Sequence, residues 1–293
     1  MAKIAIIGCG YVGSALGREL VRHGHDCVGT TTTPTRFHEI AGLGIRPALL
    51  DIADTNRLGG LLSDRDMAYL TIAAGRADRS YRETYVDGAA SLMAAAGANG
   101  ANGANGAAGA NCASLRRIVY TSSTGVYAQD DGSWVDETSD TKPDNDDGRA
   151  LVDAERVILE GAERLGITAT VLRLAGIYGP SRDPADRIAR MAGSERSNGD
   201  TLVNLVHRDD IVAALLRLVD VPYLGILNLA ADTPTTRRSF YDRLVAARGL
   251  EPIRWAEKPG RNLRGKRVRN SLIKRELGLA LAHPRYEMPS PPS

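Results

Sequence analysis

Asp144, Asp146 and Asp147 crowd the stretch DNDDGRALVDAE (144–155), ahead of Gly148, Arg149 and a run with helical spacing. Adjacent carboxylates are hard oxygen ligands for a divalent cation. Acids before a helix also cap its free N–H groups and complement its dipole. The run lacks the spacing of a calcium loop, so it reads first as a cap or solvated loop, then as a substrate contact, and last as a metal site. Arg149, one turn in, can pair with Asp147 or meet a substrate anion. A second constellation sets His207 beside Asp209 and Asp210, but NLVHRDDIVAALLRLV also reads as a strand followed by an acid-capped amphipathic helix, which favours structure over catalysis. No GxSxG elbow points to a serine hydrolase. Cys9, Cys27 and Cys112 lack CxxC or Cys/His spacing, so neither a disulfide framework nor a zinc site is expected, and no metal is assigned.

GCGYVGSALG (8–17) carries a more specific chemistry. Gly8 is expected to make a tight turn, Gly10 to let a pyrophosphate approach the backbone, and Gly13 to let helix and strand pack closely, with Tyr11 and Val12 opening the helix whose amino terminus faces the anion. The motif follows a strand and starts a repeated β/α pattern, which is the context a dinucleotide loop requires. The second strand, DCVGT, ends in Thr30, Thr31, Thr32 and Thr33, with Arg36 shortly after and no carboxylate. Hydroxyls and a guanidinium suit a 2′-phosphate, so NADP(H) is preferred over NAD(H). The plainer reading is that the threonines cap the helix starting at Pro34.

These groups need elements to hold them. Short apolar runs (KIAII, DCVGT, RPALL, MAYLTI, RRIVYT, ITATVLR) alternate with helix-period segments. That rhythm predicts an α/β fold, a Rossmann-type doubly wound parallel sheet with helices on both faces. The expected division is a dinucleotide-binding domain over 1–175 and a smaller, substrate-facing region over 176–293, with strands near 202–206 and 225–230 partly returning to the main fold. GANGANGANGAAGAN (97–111) is low-complexity and reads as a loop, a tolerated insertion at the edge opposite the ligand side. A formal charge of +2 over 293 residues favours no nucleic acid. No segment is long and apolar enough to span a bilayer, and no leader precedes the first strand, so the cytoplasm is the expected compartment.

With LLDIAD (49–54), LTIAAG (70–75), VYTSSTGVYA (119–128), RLAGIYGP (173–180) and NLVHRDD (204–210) added in that order, the chain resembles an extended short-chain dehydrogenase/reductase. Its tail, LRGKRVRNSLIKRELGL (263–279), is most similar to the atypical, NAD-dependent epimerase/dehydratase-like branch. The resemblance implies that Asp51 and Ile52 flank an adenine, that Ala73, Ala74 and Gly75 line the phosphate and ribose path, and that Tyr178 to Pro180 pass near the nicotinamide, with Ser122 in the cofactor set. It also implies a catalytic Tyr with a Lys four residues later on a helix, a Ser at the preceding strand end, and often an Asn. Ser123 matches the Ser, and Asp87 in YVDGAASL takes the Asn place. Registering VDAE with the family's helix puts Asp147 at the Tyr and Leu151 at the Lys, so the pair is missing. Tyr127, in GVYA, is the nearest tyrosine by sequence and a candidate proton donor, although a ring packed under the cofactor loop is its plainer role.

The expectation is therefore an NADP(H)-binding oxidoreductase, epimerase or dehydratase-like enzyme with a non-standard active site, acting on a small polar or nucleotide-linked substrate. Its catalytic set is Ser123, Tyr127 and Asp87. Two alternatives stand beside it: a dinucleotide-responsive regulator or scaffold without redox turnover, and a non-redox isomerase or cyclase that keeps the cofactor. The basic residues Arg261, Arg264, Lys266, Arg267 and Arg269 suit an anionic substrate or a solvated face. A homodimer through helices near SYRETYVDGAASL and DGRALVDAERVI is a further expectation. Neither a nucleic acid nor a membrane partner is expected.

Overall fold

A computed structural model describes residues 1–74, 80–104, 115–256 and 263–288. Its central feature is a seven-stranded parallel sheet flanked by helices. Five strands come early: β1 (Lys3–Ile7), β2 (Asp26–Thr31), β3 (Arg46–Leu49), β4 (Met67–Leu70) and β5 (Arg117–Ser123). The spatial order is Gly225–Leu229, Thr168–Leu174, β5, β4, β1, β2, β3. β1 and β4 are central strands covered on both faces, which is why they are written as unbroken apolar runs rather than alternating ones. Registers such as Ile4↔Cys27 and Ile4↔Met67 bring the carboxyl ends of β1, β2 and β4 to one edge.

The helices α1 (Tyr11–Arg22), α2 (Phe37–Gly42), α3 (Thr55–Leu62), α4 (Gly88–Ala104) and α5 (Asp146–Leu165) carry the crossovers. Their buried faces meet the sheet in a core that includes Leu58, Leu92, Met93, Tyr120, Ala154 and Ile158. α5 buries Ala150, Leu151, Ala154, Ile158 and Ala162 at three- and four-residue spacing, and Gly166 (φ +66°) ends it in the left-handed conformation. Gly161 lets α4 come close: a Cβ there would stand 2.8 Å from the Met93 side chain.

The chain divides into two compact units. Unit one comprises Met1–Val126, Thr141–Arg173 and Val212–Leu227; unit two comprises Tyr127–Asp140, Leu174–Ile211 and Asn228–Ser293. The boundary thus falls in several places, not at one cut near 175. The segment near 225–230 does supply a sheet strand. The segment near 202–206 does not: Leu202–Val203 pairs with Thr235–Thr236, and Leu205–His207 with Gly176–Tyr178, all within unit two. The Ala/Asn/Gly stretch also departs from expectation, because α4 continues through Ala104 where a loop was read from residue 97. Alanine has the highest helix propensity, and a helix already nucleated by the packed turns before it propagates easily. Positions 105–111 of that stretch lie outside the described residues.

Unit two has its own core of Ile188, Phe240, Leu244, Val245 and Ile253, to which Tyr286 and Met288 of the C-terminal segment add. That segment is clamped by the buried Asp210, whose carboxylate accepts the N–H groups of Ala282 (2.7 Å) and His283 (3.1 Å). No described helix is long and apolar enough to cross a membrane.

Candidate functional site

The glycine turn is built by its neighbours. Thr30 Oγ1 accepts the Gly8 N–H (2.9 Å), while Thr71 Oγ1 donates to the Gly8 carbonyl (2.8 Å), to which the Gly10 N–H also donates (2.7 Å). Gly8 adopts φ +97°, and a Cβ there would meet the Ile72 nitrogen at 3.0 Å. Gly13 is tighter: its Cβ would stand 2.3 Å from the Gly8 carbonyl oxygen. Gly10 is the opposite case, with nothing within 4 Å of the added atom. α1 then starts with no side-chain cap and no acid in its first turn, so no side chain of its own offsets the positive potential of that end. Tyr11 is half-buried and Val12 buried in that first turn.

The end of β2 uses its hydroxyls internally. Thr30 holds Gly8, and Thr31 Oγ1 accepts the Thr33 N–H (3.1 Å); both threonines are buried, whereas Thr32 and Thr33 are exposed. Arg36 folds back over the loop, donating to the Cys9 carbonyl (2.5 Å) and to Ser14 Oγ (3.4 Å), and it forks the Glu39 carboxylate at 3.0 and 2.7 Å. Beneath it, burial pushes the Cys9 thiol up to about 11, so this cysteine is no thiolate nucleophile. Asp51 accepts the Ala53 N–H (2.9 Å) in the turn after β3, and Ile52 is buried. At the exit of β4, Ala73 is exposed and the Ala74 N–H donates to Tyr85 Oη (3.0 Å); Gly75 lies outside the described residues.

β5 ends in two serines with opposite duties, as strand alternation requires. Ser122 points inward and donates to Glu155 Oε1 (2.6 Å), and Arg173 closes bidentately on the same carboxylate, with Nε at 3.0 Å from Oε1 and Nη2 at 2.6 Å from Oε2. Ser123 Oγ accepts the Gly125 N–H (3.0 Å), and its own proton has no acceptor among the described residues. Leu151, at the family's lysine place, packs buried near that turn, and Asp147, at the tyrosine place, is exposed in the first turn of α5. The acidic run opens α5, but its cap is Asn145, whose Oδ1 accepts the Gly148 N–H (2.7 Å). Asn145→Ala is expected to lower stability by about 1 kcal/mol, read as a drop in the denaturation midpoint. Arg149 pairs with Asp146 (2.6 Å) rather than with Asp147. Asp87 is exposed, in a π-helical turn (Arg82–Asp87) that leads into α4.

Two of the expected site residues belong to unit two. Tyr127 is 2% exposed, and its hydroxyl donates to Asn228 Oδ1 (2.9 Å), while Lys266 Nζ donates to its carbonyl (2.5 Å). The ring is packed and its proton engaged, because burial of a phenol demands an internal acceptor. Tyr178 is buried edge-on to His207 (ring centres 5.0 Å apart) and beside Tyr286 (5.1 Å), with its hydroxyl donating to the Arg285 carbonyl (3.4 Å). Burial pushes its phenol up to about 12. The basic tail is engaged as well: Arg264 pairs with Asp130 (2.6 Å), and Arg267 and Arg269 flank the exposed Trp134 ring at 5.9 and 5.2 Å. Arg261 lies outside the described residues.

His207, Asp209 and His283 gather in the same unit, their ligand atoms within 4.8 Å of one another. The two imidazoles lie close, ring centres 3.7 Å apart with their planes inclined at 37°, and His207 Nδ1 accepts the Asp209 N–H (3.2 Å). His207 Nδ1 is thus engaged by the backbone at the start of the helix Arg208–Asp220, and the group reads as packing at that helix start. Burial, then the facing His283, holds His207 below the ordinary histidine range. A hollow of about 570 Å³ between Thr233, Phe240, Arg243, Arg285, Tyr286 and Met288 contains none of the residues assigned from the sequence.

Tyr85, Glu155 and Arg173 were not singled out by sequence. Glu155 did leave a signal, a charge in the apolar stripe of α5. Tyr85 left none, since its partner is a backbone N–H on another element.

A sequence model of the NAD dependent epimerase/dehydratase family matches residues 4–230. Protein YeeZ of Escherichia coli K12 is 31% identical over 291 residues, 97% of each chain. Among solved structures, a functionally unknown conserved protein from Silicibacter pomeroyi superposes with a TM-score of 0.73 at 26% identity, covering 97% of this chain and 95% of that one. UDP-glucuronic acid 4-epimerase from Bacillus cereus in complex with NAD superposes with a TM-score of 0.74 at 17% identity, covering 95% and 93%, a likeness of fold.

Proposed function

The chain belongs to the NAD dependent epimerase/dehydratase family, and we propose that it is a nicotinamide-dinucleotide enzyme with a non-standard active site, acting on a small polar or nucleotide-linked substrate. One observation carries this reading: a glycine turn with no room at Gly8 and Gly13, open space at Gly10, and an uncapped helix start facing that space. Glycines serving only a tight turn would not need the third of these. The pyrophosphate would lie against Gly10 and the first turn of α1. When bound, the dinucleotide supplies a hydride donor or acceptor. Ser123, with its hydroxyl proton available, orients a substrate oxygen.

Within this reading the dinucleotide is NADP(H). No carboxylate ends β2, and Arg36 stands over the loop with an exposed partner, Glu39, from which a 2′-phosphate would take the guanidinium fork. Arg36→Ala is then expected to weaken NADP(H) by about 10- to 100-fold, the worth of a charge-assisted hydrogen bond, and NAD(H) much less. Equilibrium dialysis with each dinucleotide tests both levels. Tighter binding of NAD(H) by the parent protein sinks the NADP assignment, with Glu39 then the carboxylate facing the ribose. If no dinucleotide binds, the function itself is wrong.

A further inference from the structure

The tyrosine of α5 is absent, yet unit one brings another phenol to the first turn of that helix. Tyr85 lies in the π-helical turn Arg82–Asp87. Such turns are rare and concentrate at functional sites. Its Oη accepts the Ala74 N–H (3.0 Å), two residues beyond Ile72, which backs the Gly8 turn. The hydroxyl is therefore fastened at the β4 exit, beside the glycine loop. With that lone pair used, its O–H proton has no acceptor among the described residues. The turn faces α5, where its Arg82 pairs with Asp153 of that helix (3.2 Å). On the same turn, the Tyr81 ring stands 5.2 Å away, centre to centre.

We propose that Tyr85 is the phenol of the dinucleotide site, taking the place of the tyrosine that α5 lacks. The assignment rests on the dinucleotide reading above and deepens it. Burial chiefly, together with the neighbouring Tyr81 and Asp147, holds the phenol above the ordinary tyrosine range, against the Ala74 amide, which lowers it. Its O–H proton, without an acceptor among the described residues, is the one a substrate oxygen would take. The site is thereby suited to reducing a carbonyl. Tyr85 gives its proton to the substrate oxygen as the carbonyl carbon accepts hydride from a reduced nicotinamide dinucleotide; the carbonyl becomes an alcohol, the dinucleotide is oxidised, and a proton from solvent returns the phenolate to the phenol.

The test uses the full chain labelled with 3-fluorotyrosine, the Tyr85 resonance being assigned by its loss in Tyr85→Phe. Saturating NAD⁺ or NADP⁺, with binding followed separately by dialysis, should move that resonance and leave the enclosed Tyr69 in place. Tyr85→Phe should stay folded and weaken the dinucleotide by about three- to ten-fold, the worth of one hydrogen bond. Binding with an unmoved Tyr85 resonance, or a Tyr85→Phe protein that binds the dinucleotide as tightly as the parent, overturns the assignment alone. Absence of any dinucleotide binding overturns the dinucleotide reading and this assignment with it.

Discussion

Glu155→Gln costs about 3–5 kcal/mol of stability, the usual penalty for stripping one partner from an enclosed ion pair. Glu155 and Arg173 are each 3% exposed, and the carboxylate also accepts the Ser122 hydroxyl. The glutamine amide refills the volume but removes the carboxylate charge that Arg173 grips through Nε and Nη2 in a low-dielectric interior. Replacing both partners, Glu155→Met with Arg173→Met, is expected to regain most of the loss, since matched apolar groups need neither desolvation nor pairing. Urea denaturation at neutral pH separates these cases. A single variant within about 1 kcal/mol of the parent would show that water or a neighbour already compensates Arg173.

Gly13→Ala and Gly10→Ala should fail in different ways, and that contrast is the second large effect. At Gly13 the new methyl would enter the Gly8 carbonyl at 2.3 Å and Thr71 Oγ1 at 2.7 Å, so α1 must move away from β1. The strain of overpacking is about 1–3 kcal/mol, and dinucleotide affinity should fall by about 100-fold or more, as geometry shifted by an ångström commonly costs. At Gly10 the methyl meets nothing, so the melting temperature should hold while affinity falls, because the methyl occupies the space assigned to the pyrophosphate. Calorimetric melts and dinucleotide dialysis on the two variants distinguish the mechanisms. A Gly10→Ala protein that binds as tightly as the parent would falsify the placement of the phosphates.

Much of the fold was legible because its signals are local. Runs such as KIAII announce doubly covered strands, and the loop glycines announce a turn tight at Gly8 and Gly13. The absence of the Tyr/Lys pair was equally plain, since register alone places Asp147 and Leu151. What the sequence hid is non-local. Thr30 and Thr31 read as possible phosphate ligands, and each hydroxyl also accepts an N–H, from Gly8 and from Thr33, bonds invisible until β1 and β2 are paired. Tyr127 was singled out by proximity along the chain, whereas its hydroxyl meets Asn228, 101 positions away. Tyr85 was passed over because nothing in RETYVD shows that its hydroxyl ends at Ala74. The Arg173 charge is likewise inconspicuous inside TATVLRL until Glu155 is set against it.

The interleaving of the two units bears on how the protein is made. The chain changes unit five times, and the last strand of the sheet, Gly225–Leu229, is also the last of the seven to be translated. A nascent chain that has just left the ribosome through residue 175 therefore holds six strands, with Thr168–Leu174 as a bare edge whose N–H and C=O groups await a neighbour. Until about fifty more residues emerge, that edge is a template for pairing with any extended chain nearby. Chaperone dependence should thus peak late in synthesis, and a fragment cut at the apparent boundary near 175 should aggregate rather than fold as a free-standing dinucleotide domain.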